Sequence, residues 1–433
     1  MTKQIIIIGA GASGLMTAAI LAEKIAQNKQ HANSAEITVI ERMNRCGLKL
    51  LASGGGRCNV TNVLSSSELM KSFGKHGRFM NDAIQLMDNE KLIAWFDQNN
   101  VPLECVDKMH YFPKSKKSSD IVNMLVDKCL KYNVKFIKSC KVTSCQLRCK
   151  DKLANHGFIL QTSDEQVFNA DYVVFSTGGV SYKKLGGSKS GYKILADLGH
   201  KIISPLPGMV GLNVQENWVK KSTGIAFGNT LAVIGLKKYR KKNSYGELLF
   251  THEGLSANAA INISADIAEL LENAPTVPLI IKLFADKSNQ EMINQWSKCC
   301  QENSTKSVVK VLSFFVPKSV AVNYLTDFFG EEILQCTIAQ LPKKVNQKII
   351  ELLTECIVTI TKTNGFDKAM VTRGGVDLKN LNPKTLESKI VEGLFCTGEA
   401  VNLDGPCGGY NLQWAFSSGY LAAYSIYQKI IQK

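Results

Sequence analysis

Three glycines near the N-terminus are spaced for close contact with a phosphate group. Gly9, Gly11 and Gly14 follow the apolar run IIII and precede a segment with helical periodicity, in the pattern G-x-G-x-x-G. The first glycine permits a tight turn, the second lets a pyrophosphate approach the backbone, and the third lets the helix pack on the strand. The helix N-terminus also faces the phosphate charge. This stretch predicts a dinucleotide site, and a glycine turn in some other α/β protein is the alternative.

An acidic residue at the end of the next predicted strand indicates which dinucleotide could bind. Glu41 closes the apolar strand AEITVIER, and its carboxylate could accept hydrogen bonds from the two hydroxyls of an adenosine ribose. The same charge would repel a 2′-phosphate, which favours FAD or NAD over NADP at this site. Glu41 lies farther from the glycines than is usual because a long polar loop precedes its strand.

A second glycine-rich stretch, LLASGGGRCNVTN, runs from Leu50 to Asn62 and combines a bare backbone with polar and thiol side chains. Cys58 directly follows Arg57, and a nearby cation can lower the pKa of a thiol. Cys58 is therefore a candidate proton donor, and a small thiol packed under a cofactor is the alternative. Cys407 and Tyr410, in the C-terminal stretch CGGYNLQW, are the other candidate donors, although such a tyrosine could equally pack and orient a ligand.

The charge of the chain favours a polyanionic partner. Its 433 residues carry a formal net charge of +15. The most compact basic run is KKYRKK, which contains Lys237, Lys238, Arg240, Lys241 and Lys242. Basic residues interleaved with an aromatic residue suit phosphate contact and base stacking, so ribosomal RNA is a candidate partner. The alternative is a solvated turn in a protein that is generally rich in lysine.

The cysteines and the hydropathy bear on the compartment. The 13 cysteines are odd in number and none are spaced C-x-x-C, so neither a zinc ribbon nor a thioredoxin-type pair is visible and no metal is expected. Many unpaired thiols fit a reducing cytosol, so we expect a cytoplasmic protein. No apolar run approaches the roughly 18 residues of a membrane span, and the short N-terminal run is predicted to be a strand.

The order of predicted elements indicates an α/β fold in two pieces. A βαβ unit with a parallel sheet opens the chain, and an antiparallel meander is predicted near residues 141–170. Short strands separated by turns then predict a small β-barrel, and a helical section follows before strand and glycine patterning returns. The predicted boundaries are 1–200 and 368–433 for the dinucleotide-binding domain, 201–287 for the barrel and 288–367 for the helical section.

The same order distinguishes FAD from NAD as the resident cofactor. A nicotinamide dehydrogenase usually completes its site with a second α/β half, whereas this chain has a meander and a C-terminal glycine cluster. That order is similar to FAD enzymes of the glutathione-reductase type. We therefore expect a two-piece Rossmann-like FAD-binding domain with an inserted β-barrel and helical section. NADH or NADPH would then bind transiently beside the flavin as the reductant.

Six sequence blocks resemble one family over nearly the whole length. The blocks are GAGASGLMTA, KLLASGGGRCNVTN, STGGVSYKKLGGSKSGY, GELLFTHEGLS, VTRGGV and GLFCTGEAVNLDGPCGGYNLQWAFSSG. Together they resemble the BaiN/RdsA-like NAD(P)/FAD-dependent oxidoreductases, some of which are called aminoacetone-oxidase-like. The resemblance implies reduction of activated C=C bonds. One branch of that family reduces a uridine of large-subunit ribosomal RNA to dihydrouridine, and another reduces steroid enones of bile acids.

The resemblance also implies which residues hold the cofactor. They come from the first glycine turn, the end of the second strand, the second glycine-rich stretch, the turn after a later strand and the C-terminal glycine cluster. They are Gly9, Gly11, Ala12, Ser13, Gly14, Glu41, Arg42, Lys49, Gly55, Gly56, Arg57, Cys58, Asn59, Thr177, Gly178, Gly398, Glu399, Gly408, Gly409, Tyr410 and Asn411. The dipole at the start of the last helix would stabilise negative charge at flavin N1 and O2.

Several substrates are compatible with this pattern. Uridine in ribosomal RNA is favoured because the basic charge and the resemblance agree. The alternatives are a small-molecule oxidoreductase that acts on a steroid-type enone or an amine, and a flavoprotein that binds RNA without turnover. Pro113 stands where the rRNA-modifying branch has a cysteine, which argues against that branch. His110 and His252 are expected in loops, with structural roles.

Overall fold

The computed structural model describes residues 2–31, 33–148 and 157–432, and the chain divides into two compact units. The two-piece unit comprises Met1–Pro205 and Val371–Lys433, and the inserted unit comprises Leu206–Met370. The chain therefore leaves the first unit once and returns to it once. Among the described residues, no helix is long and apolar enough to cross a membrane.

The first segment of the two-piece unit carries most of its elements. Its strands are β1 (Lys3–Ile8), β2 (Ala35–Ile40), β3 (Thr61–Asn62), β4 (Leu103–Val106), β5 (His110–Pro113), β6 (Lys135–Ile137), β7 (Val142–Leu147), β8 (Phe158–Thr162), β9 (Val167–Ala170), β10 (Tyr172–Phe175) and β11 (Ile202–Gly208), the last of which runs into the inserted unit. Its helices are α1 (Ala12–Gln27), α2 (Leu48–Ala52), α3 (Ser66–Ser72), α4 (Asn81–Leu86), α5 (Asn89–Gln98), α6 (Ser118–Lys131) and α7 (Ser190–Asp197).

The inserted unit and the final segment complete the chain. The inserted unit has strands β12 (Leu212–Val214), β13 (Ala226–Ile234), β14 (Asn243–Phe250), β15 (Gly254–Ser256), β16 (Val277–Lys282) and β17 (Cys356–Thr363). Its helices are α8 (Asn217–Lys221), α9 (Asn258–Ile261), α10 (Ser264–Leu271), α11 (Asn289–Glu302), α12 (Val308–Leu312), α13 (Lys318–Phe329) and α14 (Lys343–Thr354). The final segment has β18 (Val371–Val376), β19 (Leu394–Cys396) and α15 (Tyr410–Ile431).

A five-stranded parallel sheet forms the centre of the two-piece unit, in the order β19-β10-β1-β2-β6. Its central strand β1 is covered on both faces, since Ile5, Ile6, Ile7 and Ile8 are at most 6% exposed. A continuous apolar run of β-branched residues is what such a doubly covered parallel strand requires. The predicted Rossmann-like α/β fold is confirmed, and β19 brings the C-terminal segment into the same sheet as the N-terminus.

Helices α1 and α15 pack closely and hold the two pieces together. A Cβ atom at Gly419 would lie 2.5 Å from the carbonyl oxygen of Ser13, so only a glycine allows this approach. The Thr17 hydroxyl donates to the carbonyl oxygens of Ser13 at 2.8 Å and of Gly419 at 3.1 Å. The first turns of α1 are thereby packed against the middle of α15.

Two smaller sheets flank the central one. Strands β7, β8 and β9 form the predicted antiparallel meander, in which residues 149–156 lie outside the described residues. Strands β3, β5 and β4 form a second antiparallel sheet, in which Thr61 pairs with Tyr111 and Asn62 with His110. His110, which the sequence placed in a loop, begins strand β5.

The inserted unit contains the predicted barrel, closed in the order β12-β15-β14-β13-β16-β17. The prediction that residues 288–367 are helical was wrong at its end. The last helix ends at Thr354, and Cys356–Thr363 forms β17, which pairs with β12 and β16. Alternation explains the strand, because Cys356, Val358 and Ile360 point into the core while their neighbours face outward.

Candidate functional site

The first glycine turn connects the end of β1 to the start of α1. A Cβ at Gly9 would lie 2.4 Å from the carbonyl oxygen of Ser176, and a Cβ at Gly14 would lie 2.0 Å from that of Gly9. A Cβ at Gly11 would meet no protein atom within 4 Å. The first and third glycines are therefore needed for packing, whereas the second leaves open space in front of the helix. A pyrophosphate-binding turn requires these two roles, close packing at the first and third glycines and open space at the second.

The start of α1 adds electrostatic attraction to this space. Gly11 occupies the N-cap position and supplies no side-chain hydrogen bond, and Ala12 and Ser13 open the helix. Backbone N–H groups at an uncapped helix start are hydrogen-bond donors toward an anion, and the helix dipole favours negative charge there. The open space at Gly11 and the start of α1 therefore both suit a bound pyrophosphate.

Glu41 lies at the edge of this turn, at the end of β2. Its Oε2 accepts a hydrogen bond from the backbone N–H of Ala10 at 2.7 Å, and its Oε1 accepts one from Met43 at 2.8 Å. The two bonds fix the carboxylate, yet each oxygen keeps acceptor capacity for a ribose hydroxyl. Arg42 follows, and its Nη2 donates to the carbonyl oxygen of Gly187 at 3.5 Å.

The C-terminal segment reaches the same edge of the sheet through β19. Cys396 pairs with Phe175 of β10, and the hydroxyls of Thr397 and Ser176 lie 2.7 Å apart. Gly398 is fixed by α15, since its N–H donates to Ser418 Oγ at 2.9 Å and its carbonyl oxygen accepts from Trp414 Nε1 at 3.0 Å. The carboxyl ends of parallel strands are where ligands bind in open α/β sheets.

Lys49 and Glu399, both predicted to contact the cofactor, form an ion pair with each other. Lys49 Nζ donates to Glu399 Oε2 and to Ser181 Oγ, both at 2.6 Å. Glu399 Oε1 accepts from the backbone N–H of Thr372 at 2.6 Å and from Ser181 Oγ at 3.2 Å. This network joins four segments of the chain that are distant in sequence. It ties those segments to one another through charged and polar side chains.

The stretch SGGGRC forms a tight turn after α2, in which Gly54, Gly55, Gly56 and Arg57 are exposed and Cys58 is buried. Gly54 and Gly55 have φ values of 57° and 66°, in the left-handed region that glycine tolerates best. A Cβ at Gly55 or Gly56 would meet no protein atom within 4 Å. The Arg57 guanidinium lies over the Phe112 ring, 4.9 Å from its centroid. The backbone of Gly55 and Gly56 is therefore open to a ligand, and the Arg57 guanidinium lies beside it.

A third glycine turn leads into α15. The carbonyl oxygen of Gly408 accepts from Asn62 Nδ2 at 2.9 Å, and Gly409 is the N-cap, without a side-chain cap. Asn411 exchanges two hydrogen bonds with the backbone of Gly405, at 2.8 and 2.9 Å. A buried hydrogen bond of 2.6 Å from Thr61 to Gln413 joins β3 to the same helix. The stretch that contains the three consecutive glycines is thereby tied to the start of α15.

The three candidate proton donors are all affected by burial. Cys58 has no exposed surface, and burial raises the pKa of its thiol to about 12. Burial also raises the pKa of the Cys407 thiol and of the Tyr410 hydroxyl. The Tyr410 ring packs edge-on against Phe73, with 6.4 Å between centroids. For Cys58 these observations favour packing under the site over proton donation.

Some residues that shape the site carry no recognisable sequence signal. They contact the predicted loops from strands, as His110, Asn62 and Thr372 do, or from the first turn of α15, as Gln413 does. Asn62 and Thr372 lie within glycine-rich blocks, and this proximity was the one sequence signal that could have marked them as part of the site. Across the described ranges, no group of three or more His, Cys, Asp or Glu side chains could hold a metal ion.

The residues present fit an FAD molecule. Open space faces Gly11, and the side chains of Asn59 and Thr177 each bury an oxygen atom that has no hydrogen-bond partner. Both atoms therefore keep hydrogen-bonding capacity that a bound polar ligand can use. Both residues were predicted to contact the cofactor, and Gly178, beside Thr177, also has open space.

The fold and the site define a dinucleotide-binding oxidoreductase of the Rossmann class. Residues 3–425 match the model of the HI0933-like protein Rossmann domain, and the chain belongs to that family. It is therefore an FAD-dependent oxidoreductase, as the sequence predicted. The Sterolibacterium denitrificans 3-ketosteroid delta1-dehydrogenase has a similar fold, with a TM-score of 0.50 and 11% identity over 99% of this chain and 100% of that one.

Two curated relatives are similar over nearly the whole chain. The 3-dehydro-bile acid delta(4,6)-reductase of Clostridium scindens is 29% identical over 428 residues, which cover 96% of this chain and 97% of the relative. The ribosomal RNA dihydrouridine synthase of Haemophilus influenzae is 30% identical over 424 residues, which cover 97% and 98%. The predicted family is confirmed, and it contains proteins named for two different substrates.

The first glycine turn yields a prediction that separates binding from folding. Gly11→Ala should leave the free energy of unfolding within about 0.5 kcal/mol of the original, because its Cβ meets no protein atom. It should weaken FAD binding at least about tenfold, which corresponds to roughly 1.4 kcal/mol. Gly14→Ala, the matched control, should destabilise the protein by about 1–3 kcal/mol. Denaturation of the apoprotein and flavin fluorescence titration measure both; equal FAD affinity in Gly11→Ala would contradict the assignment.

The burial of Cys58 predicts low reactivity. At pH 8 the thiolate fraction of a thiol with a pKa of about 12 is very small, so iodoacetamide should leave Cys58 unmodified in the folded protein. The exposed Cys105 is the internal control and should be alkylated under the same conditions. Peptide mass spectrometry after alkylation reports both sites. Rapid labelling of Cys58 before unfolding would show that it is accessible and restore it as a candidate acid.

Proposed function

We propose that this chain reduces an activated carbon–carbon double bond, with NADH or NADPH as reductant and a uridine of large-subunit ribosomal RNA as substrate. The observation that carries the proposal is the pair of near-full-length relatives. One is named for making dihydrouridine and the other for reduction at delta(4,6) positions. Both names describe the addition of hydrogen across a carbon–carbon double bond, which is the chemistry we assign to this chain.

The protein's own residues would bind and orient the reactants. When bound, FAD would supply a hydride to the electron-poor carbon of the double bond. The open side of Gly11 and the start of α1 would hold the pyrophosphate, and Glu41 the adenosine ribose. The bare backbone at Gly55 and Gly56 would allow close approach of the flavin, and Asn59 and Thr177 would gain hydrogen-bond partners. These contacts fix the geometry in which hydride transfer is efficient.

The neighbouring carbon must also receive a proton. Cys58 is a poor donor because burial raises its pKa to about 12. Cys407 and Tyr410 stay candidates, since both flank the turn that opens α15. Arg57, held over the Phe112 ring at the exposed edge of the loop, would hold a substrate carbonyl or phosphate.

Ribosomal RNA as the partner is supported by the form of the basic cluster. Lys237–Tyr239 form a 3-10 turn after β13, and Lys237, Lys238, Arg240, Lys241 and Lys242 are all exposed. Lys238 Nζ lies over the Tyr239 ring, 5.7 Å from its centroid. Exposed cations beside an aromatic ring suit phosphate contact and base stacking. The target uridine would have to be unpaired or leave its stack.

The second candidate substrate is a small steroid-type enone. The bile-acid reductase relative favours it, because its similarity to this chain is nearly equal to that of the rRNA enzyme. In either case we propose a cytoplasmic location, in keeping with the free cysteines found among the described residues.

The proposed function predicts one missing modification in ribosomal RNA. Large-subunit rRNA from cells that lack this chain should have lost a dihydrouridine that is present in the parent, as measured by mass spectrometry of nuclease fragments. The unaltered chain should restore it, and Gly11→Ala should restore less. An identical dihydrouridine map with and without the chain would reject the RNA substrate. Reduction of a steroid enone by the purified protein would then support the second candidate.

The basic cluster predicts a salt-dependent contribution to RNA binding. Replacing Lys237, Lys238, Arg240 and Lys241 by alanine should weaken RNA binding and lower the slope of log K against log [salt] by about 0.7–0.9 per lost phosphate contact. The matched control replaces Lys306, Lys310, Lys343 and Lys344, four exposed lysines of the same unit, by alanine. Fluorescence anisotropy over a salt series measures both. Equal salt-dependence slopes for the two variants would show that the cluster does not contact RNA and is a solvated turn.

A further inference from the structure

Strand β5 lies between two glycine turns of the site. At one end, Phe112 contacts the first of them, because a Cβ at Gly54 would lie 3.2 Å from its ring. At the other end, His110 contacts the turn before α15, because a Cβ at Gly408 would lie 2.8 Å from its Nε2. One short strand therefore places an aromatic ring and an imidazole against two loops assigned to the flavin.

The imidazole of His110 is held in one orientation by Asp107. Its Nδ1 lies 2.9 and 3.1 Å from the two carboxylate oxygens. The carboxylate is itself fixed, because Asp107 Oδ1 accepts from the backbone N–H groups of Met109 and His110 at 3.2 and 3.1 Å. The hydrogen bond from His110 lowers the pKa of Asp107, so the carboxylate is charged at neutral pH. With Nδ1 engaged by Asp107, Nε2 is the ring nitrogen that lies against Gly408.

His110 Nε2 and the start of α15 adjoin the same turn. Gly408 contacts the imidazole, and the next residue, Gly409, is the uncapped N-cap of a helix of 22 residues. A protonated imidazole and a helix N-terminus both stabilise negative charge. The two groups would therefore act on the same portion of a bound cofactor.

We propose that His110, oriented by Asp107, stabilises the negative charge that the flavin gains when it accepts a hydride from a nicotinamide dinucleotide. The proposal rests on the proposed function for the identity of the cofactor and of the reductant. The hydride brings two electrons and one proton to the flavin, which leaves one net negative charge on the ring system. No covalent bond to the protein forms, and His110 contributes charge and a hydrogen bond.

Several titratable or charged groups lie near His110 in sequence or on the paired strand. Asp107 and Lys108 lie in the same turn, Glu104 lies on the paired strand β4, and Cys407 and Tyr410 flank Gly408. Burial raises the pKa of Cys407 and of Tyr410, so both are neutral near pH 7. Among these groups, His110 is the one whose ring lies against Gly408 and can carry a positive charge there.

The midpoint potential of the bound flavin tests the proposal without any substrate. The FAD-loaded protein and its His110→Asn variant would be reduced in the presence of an indicator dye at pH 6, and the two potentials compared. Loss of the positive charge should weaken binding of reduced relative to oxidised flavin about tenfold, which lowers a two-electron potential by about 30 mV. Asp107→Asn should shift the potential in the same direction by less.

The controls separate this proposal from the proposed function. His252→Asn, in the inserted unit, should leave the potential unchanged, and thermal unfolding should show that all variants are folded. A potential in His110→Asn equal to that of the unaltered protein would overturn the role of His110 while the proposed function stands. Failure of the folded, unaltered protein to bind FAD would instead overturn the proposed function itself.

Discussion

The close packing of α1 against α15 is the contact on which the site depends. Both helices begin at glycine turns, and both turns were predicted to bind the same cofactor although they lie at opposite ends of the sequence. The absence of a side chain at Gly419 lets the second helix approach the backbone at Ser13. A larger residue there would separate the helices and move the start of α15 away from the pyrophosphate turn. Interiors are close-packed, so a shift of this kind has few ways to relax.

Three glycine turns then provide surfaces where backbone can meet the cofactor. Each is contacted by another part of the chain: Glu41 and Asn62 accept or donate hydrogen bonds at the first turn and at the turn before α15, and the Phe112 ring packs on the loop at Gly54. Preorganised backbone costs little reorganisation when a charged ligand binds. The Lys49–Glu399 ion pair serves the same purpose, since together with Ser181 and Thr372 it joins four segments of the chain.

Sequence reasoning located the parts of the site that depend on local chemistry. The spacing of Gly9, Gly11 and Gly14 and the acid at Glu41 are local signals, and the structure brings them together as expected. The role of His110 depends on its contact with Gly408, at the far end of the chain, and no local pattern reports such a pairing. Strand β17 was missed for a related reason, because a short alternating segment directly after an amphipathic helix is ambiguous until its barrel partners are known.

The substrate is determined by groups that the shared fold does not specify. The two curated relatives are named for an RNA product and for a bile acid, and the RNA substrate that we propose for this chain rests on the basic turn after β13. Both relatives keep nearly the full length of this chain, so the same architecture accommodates either substrate. Function therefore has to be argued from the site and not from the fold.

The central claim is that the two-piece unit binds FAD through the glycine turns. The most direct measurement is the flavin content of the purified, folded protein, taken from its visible absorption and from release of FAD on denaturation. The account predicts a yellow protein that holds FAD in a fixed ratio to the chain and takes it up again after removal. A folded protein that neither carries FAD nor rebinds it would contradict the account.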